Sequence, residues 1–116
     1  MHHIHASDVA GVFLAAIRAG KVSFGEGFRA VSPAAVTLYE YATQVAQWFG
    51  READLRFESF DVWKRNVSDQ DTAATHEHIF RSPSCSMEKA KRLFGFTPGY
   101  TSFDAIRECI ASFGLL

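Results

Sequence analysis

His2-His3-Ile4-His5-Ala6-Ser7-Asp8-Val9-Ala10, continuing as Gly11-Val12-Phe13-Leu14-Ala15-Ala16-Ile17-Arg18, is the stretch on which the reading of the fold turns. Ile4 with its flanking histidines reads as the end of a short strand, and a helix follows at once. Ser7 or Asp8 offers a short oxygen side chain that can accept from the free N–H groups of a first helical turn. Val9, Val12, Phe13, Ala16 and Ile17 recur at helical spacing, so one side of residues 7–19 is apolar. Arg18 and Lys21 put cations at the end of the helix that favours them, and Gly20 is a natural stop. A strand ending here has no partner strand ahead of it. The expectation is a part of a larger protein rather than a whole one.

Working outward, Gly25-Glu26-Gly27 is a turn or bulge, and Phe28-Arg29-Ala30-Val31 has the alternation of a short strand. Thr37-Leu38-Tyr39-Glu40 is a capping box, with Thr37 capping a helix and Glu40 reaching back to it. Leu38, Tyr41, Ala42, Val45, Trp48 and Phe49 form that helix's apolar stripe, and Gly50 ends it. Leu55 to Phe60 alternates as a strand. Phe60 to Asn66 is a polar-aromatic connector of about one helical turn. Ser68-Asp69-Gln70-Asp71 opens a further helix running through Ile79, with acids at its positive end. Pro83 makes Arg81 to Ser86 a loop. Ser86 caps a short helix carrying Met87, Ala90, Leu93 and Phe94, closed by Gly95 and Pro98. Thr101 or Ser102 caps the last helix, with Phe103, Ile106, Ile110 and Phe113 inward. The expected architecture over 1–116 is one small α/β domain of several short strands and four to five helices.

The bulk numbers narrow the function. At 116 residues, 47% of them apolar, the chain suits one folded domain rather than a disordered segment. A formal net charge of -1 argues against nucleic acid and against an anionic membrane surface. No apolar run approaches the roughly 18 residues of a membrane span, and no secretory leader pattern is present. Cys85 and Cys109 lack CxxC spacing and read as two reduced thiols of a cytoplasmic protein. Eleven Phe and two Trp are more apolar bulk than so short a chain easily hides, which points to a face that packs on another domain.

Three segments carry a resemblance. His3-Ile4-His5-Ala6-Ser7-Asp8-Val9-Ala10 resembles the strand–helix motif V-H-V-x-D-V-A of the NAD(P)-dependent epimerases and dehydratases, the extended short-chain dehydrogenase/reductase family. Gly25-Glu26-Gly27-Phe28-Arg29-Ala30-Val31-Ser32, followed by Val36 to Glu40, is similar to the family's G-E-x-Y-N-V-G-S and T-L-x-E segment, with Arg29 in place of the usual Asn. Ser86-Met87-Glu88-Lys89-Ala90, running to Gly95-Phe96-Thr97-Pro98, resembles its D-x-S-K-A and L-G-W-x-P tail, with Ser86 for the Asp and Phe96 for the Trp. The three stand in the family's order and span nearly the whole chain.

The resemblance implies the C-terminal, substrate-binding part of such an enzyme, without the Rossmann half. No glycine-rich loop follows a strand, and Tyr39, Tyr41 and Tyr100 are followed four residues on by Thr43, Val45 and Asp104, so no Tyr-x-x-x-Lys is present. NAD(P) is therefore expected in a parent protein and no cofactor on this chain. No catalytic residue and no metal ligand set is assigned, and the chain alone is expected to be inactive. The implied ligand is a sugar-nucleotide or a related polar molecule. Arg81, Ser82 and Ser84 form an anion-friendly rim, and His5 and Asp8 are the further substrate-side candidates.

Plainer readings stand beside these. Arg81 can simply pair with Asp69 or Asp71, and Asp8 can be a structural cap. His2, His3 and His5 can be ordinary strand residues. His76 and His78 point apart on a helix, so at most one faces a pocket, and Cys85 lacks an assigned base. Two further readings of the chain are compatible: a stand-alone binding or interaction domain derived from the enzyme, or a truncation without its own function. The aromatic excess implies a homodimer through the surface that would face the missing domain.

Overall fold

α1 (Ala6–Ala19) begins where the sequence breaks from extended backbone at His5 and ends at Gly20, whose φ of 58° suits glycine. This is a computed structural model, and it describes residues 1–81 and 84–116. A 3-10 turn (Gly20–Ser23) follows, then a segment without regular structure, then α2 (Leu38–Trp48). A short α3 (Phe60–Trp63) runs into a 3-10 turn (Lys64–Asn66), and α4 (Asp69–Arg81), α5 (Glu88–Phe94) and α6 (Ser102–Ser112) complete the order.

The capping chemistry explains most helix starts. Thr37 Oγ1 accepts from the Glu40 amide at 3.1 Å while Glu40 accepts from the Thr37 amide at 2.8 Å, so α2 starts on the full capping box. α6 repeats it with Thr101 and Asp104, leaving Ser102 free for another task. Ser68 accepts from the Asp71 amide at the head of α4. The Ser86 hydroxyl accepts from Glu88 N–H, although the residue at the cap position of α5 is Met87.

The α/β expectation is overturned: among the described residues the fold is all-helical and no strand forms. A strand exists only as one side of a ladder. Residues 1–3 do lie beside residues 32–36, with Ser32 N–H donating to His3 O at 3.0 Å and Val36 N–H to Met1 O at 2.8 Å. Those contacts advance four residues on one side and two on the other, across a bend at Pro33–Ala34, so no regular register develops. Phe28 to Val31 and Leu55 to Ser59, which alternate in sequence, carry no regular secondary structure, and no ladder of backbone hydrogen bonds joins either to a neighbouring segment among the described residues. Phe60 belongs instead to α3. Alternation selects extended backbone; a sheet needs a second edge, and neither segment has one.

The core sits between α1 and α5. Val12, Met87 and Ala90 are buried together, with Phe28, Ala30, Val31, Phe94 and Phe96 packed around them. Gly11 allows this approach, because a Cβ there would lie 2.8 Å from Phe96 Cε2. The second half is held by aromatic contacts: Trp48 meets Phe103 edge-on at 6.1 Å, joining α2 to α6, and Phe60 packs on Trp63, His76 and Phe80, joining α3 to α4. Neither α2 nor α4 has a fully buried residue.

Candidate functional site

His5 and Asp8 organise the entrance to α1. His5, not Ser7 or Asp8, is the N-cap: its Nδ1 accepts from the Ser7 amide at 3.1 Å. That fixes the tautomer, since the nitrogen that accepts carries no proton, and Nε2–H donates to Glu108 Oε2 on α6 at 2.5 Å. The ring also stacks on Tyr100, with centroids 3.8 Å apart. Asp8 faces inward and accepts from Gly99 N–H at 2.8 Å and Tyr100 N–H at 3.1 Å. The start of α1 is thereby pinned to the link between α5 and α6. Both His5 nitrogens and both Asp8 oxygens are engaged within the protein, so the geometry here holds elements together and frees no group for acid–base work.

A second cluster lines a cleft of about 450 Å³ between the N-terminal segment and α4. His2, His3, Glu77, His78 and Arg81 contribute its polar side chains. Arg81 Nε lies 3.2 Å from Glu77 Oε2 one helical turn back, so its acidic neighbour is Glu77 rather than Asp69 or Asp71. Its side chain stays largely in solvent, with donors left for a ligand. His78 faces this cleft, whereas His76 turns away and stacks on Phe80 with centroids 4.3 Å apart. His3 Nε2 is buried and has no hydrogen-bond partner among the described groups. Burial holds the His3 imidazole below its ordinary pKa, with the N-terminal charge, His78 and His2 adding to the effect. His2 is fully used: its Nδ1 accepts from Cys85 N–H at 3.3 Å and its Nε2 donates to Ser32 O at 2.8 Å.

The sequence-derived candidates therefore divide. Arg81 lines the histidine cleft, His5 and Asp8 build the α1 entrance, and Ser84 is exposed in the loop before α5. Ser82 lies outside the described residues. Cys85 is half-buried, and its Sγ accepts from Arg29 Nη1 at 3.1 Å. Both cysteines are free thiols. Among the described residues no group of three or more His, Cys, Asp or Glu is placed to hold a metal ion.

Sequence reasoning missed Glu108 and Tyr100, which complete the setting of His5, and the serine pair Ser32 and Ser102. Those two hydroxyls lie 2.6 Å apart in full burial and share the Ala34 carbonyl. Nothing local marks them; each finds its partner about seventy or more residues away. No protein-family model matches the chain, and no curated protein or solved structure gives a significant match.

Proposed function

We propose that this chain is the substrate-binding portion of an NAD(P)-dependent sugar-nucleotide epimerase or dehydratase, with the redox step carried by residues elsewhere. The observation that carries this reading is mutual packing of the three segments that resemble the family. Asp8 of the first holds Gly99 and Tyr100, just past Pro98 of the third. Phe28 of the second meets Phe94 of the third edge-on at 4.8 Å, and Lys89 Nζ reaches Glu26 and the Gly27 carbonyl. Segments distant in sequence are thereby adjacent in space, as parts of one binding unit would be.

In this reading the cleft beside α4 receives the phosphates. Arg81 supplies charge-assisted donors, and the His3 and His78 imidazoles supply ring N–H donors. A reducing cytoplasm suits the two free thiols, and no helix among the described residues is long and apolar enough to cross a membrane. The test is an NMR titration of the chain with a nucleoside diphosphate sugar and, separately, with NAD. The expected result is a response of the His3, His78 and Arg81 signals to the sugar-nucleotide, weakened severalfold by Arg81→Ala, and no response to NAD. Micromolar NAD binding, or a sugar-nucleotide response that bypasses these residues, would overturn the assignment.

A further inference from the structure

The sequence makes the apolar arc of α1 wider than the core can use. Val12 is buried and Val9 and Ala16 are half-buried, but Phe13 and Ile17 point outward, 67% and 74% exposed. With Ala6 and Ala10, both also exposed, they form a stripe at spacings of four, three and four residues, the repeat of a helix-packing seam. No charge interrupts it. Small residues occupy its first half and bulky ones its second.

We infer that this stripe is a self-association surface on which a second copy of the chain docks α1 antiparallel to α1. A two-fold axis through the middle of the stripe sets Phe13 against the other copy's Ala10 and Ile17 against its Ala6. Bulky groups then meet small ones at all four places, and the helix dipoles oppose. A parallel arrangement would set Phe13 against Phe13 and leave the alanines facing a gap. The chain exposes 8436 Å², about a third more than the roughly 6,300 Å² of a compact monomer of its mass, so surface is left for a second copy to cover. The inference is independent of the substrate reading, since α1's outer face takes no part in the histidine cleft.

Sedimentation velocity of the full chain across concentration tests it, with dimer expected at tens of micromolar. Ala6→Lys and Ile17→Glu should each weaken self-association at least tenfold. An equimolar mixture of the two should restore a heterodimer, because Lys at position 6 of one copy then faces Glu at position 17 of the other. Both positions are exposed, and circular dichroism verifies that each variant keeps its helices. A monomer at every concentration, or a dimer indifferent to both substitutions, overturns the surface. Failure of the mixture to associate overturns the antiparallel register. As a second measurement, mixed Ala6→Cys and Ile17→Cys chains should crosslink to each other in preference to themselves.

Discussion

The buried polar residues set the fold's local logic, and Asp8 is the sharpest case. Its carboxylate is 6% exposed and satisfies two backbone amides of the α5–α6 link. Asp8→Ala leaves both amides unpaired in a buried place and should cost about 3 kcal/mol in urea unfolding, with Asp8→Asn costing less because one acceptor remains. His3 gives a pH dependence. Its protonated form is disfavoured by burial first and then by neighbouring positive charge, so its folded pKa lies below the ordinary 6.5. The unfolded chain takes up that proton more readily. The stability this confers is fully present above pH 6.5 and is lost as pH falls through the lowered folded value. His3→Gln should therefore flatten the decline of Tm just below pH 6.5, measured by calorimetry. Hydrogen bonds from Thr37 and Thr101 hold Glu40 and Asp104 below the usual carboxylate range and leave further acid sensitivity at lower pH. The Thr37–Glu40 pair was legible in the sequence because its partners are three residues apart. The cap at α1 was not. An imidazole acts there as acceptor only because Glu108, 103 residues on, holds the proton on the other nitrogen.

At the scale of elements, helices were readable and strands were not. A helix satisfies its backbone from its own residues, so Val9 to Ile17 and Thr37 to Phe49 announce themselves by spacing and caps. A strand's bonds lie in a neighbour, and the alternation of Phe28 to Val31 says nothing of whether one exists. Periodicity also overstated what α1 buries: it marks Phe13 and Ile17 as apolar, while the side that α5 covers is the one bearing Val12. The close approach of Phe96, just past the end of α5, to α1 depends on Gly11. Ala at this position gains about 1 kcal/mol of helix propensity but places its Cβ 2.8 Å from the Phe96 ring. Gly11→Ala should come out near neutral, whereas Gly11→Val should destabilise by about 2 kcal/mol through overpacking. Phe96→Ala in the Gly11→Val background should return part of that loss, and an additive double-mutant cycle would show that the two residues do not press on each other.

For the whole molecule, the decisive quantity is how little apolar surface the chain hides. Its radius of gyration is 17.6 Å, against about 13 Å for a compact chain of this length, and its extents are 53 × 31 × 20 Å. Val12, Val36, Met87, Ala90 and Ile106 are the buried apolar residues described, while Phe13, Ile17, Phe24, Phe57 and Phe113 are each more than two-thirds exposed. The aromatic excess in the composition foreshadowed this, but composition cannot say which aromatics stay outside. Folding that buries so little leaves a shallow free-energy well, which the self-association proposed for α1 would deepen by mass action. Coupling between folding and self-association has a distinct signature: Tm rises with protein concentration. For a dimer whose monomer is only marginally stable, a hundredfold increase in concentration adds about RT ln 100, close to 2.7 kcal/mol per mole of dimer, or about half that per chain. In a chain of this length that corresponds to a rise of several degrees. Ile17→Glu should abolish the concentration dependence while lowering Tm at high concentration toward the dilute wild-type value, because it removes the association and leaves the monomer's few core contacts intact. Differential scanning calorimetry at two concentrations reads both effects. A Tm that is independent of concentration in the unsubstituted chain would mean that the small core between α1 and α5 supports the fold by itself.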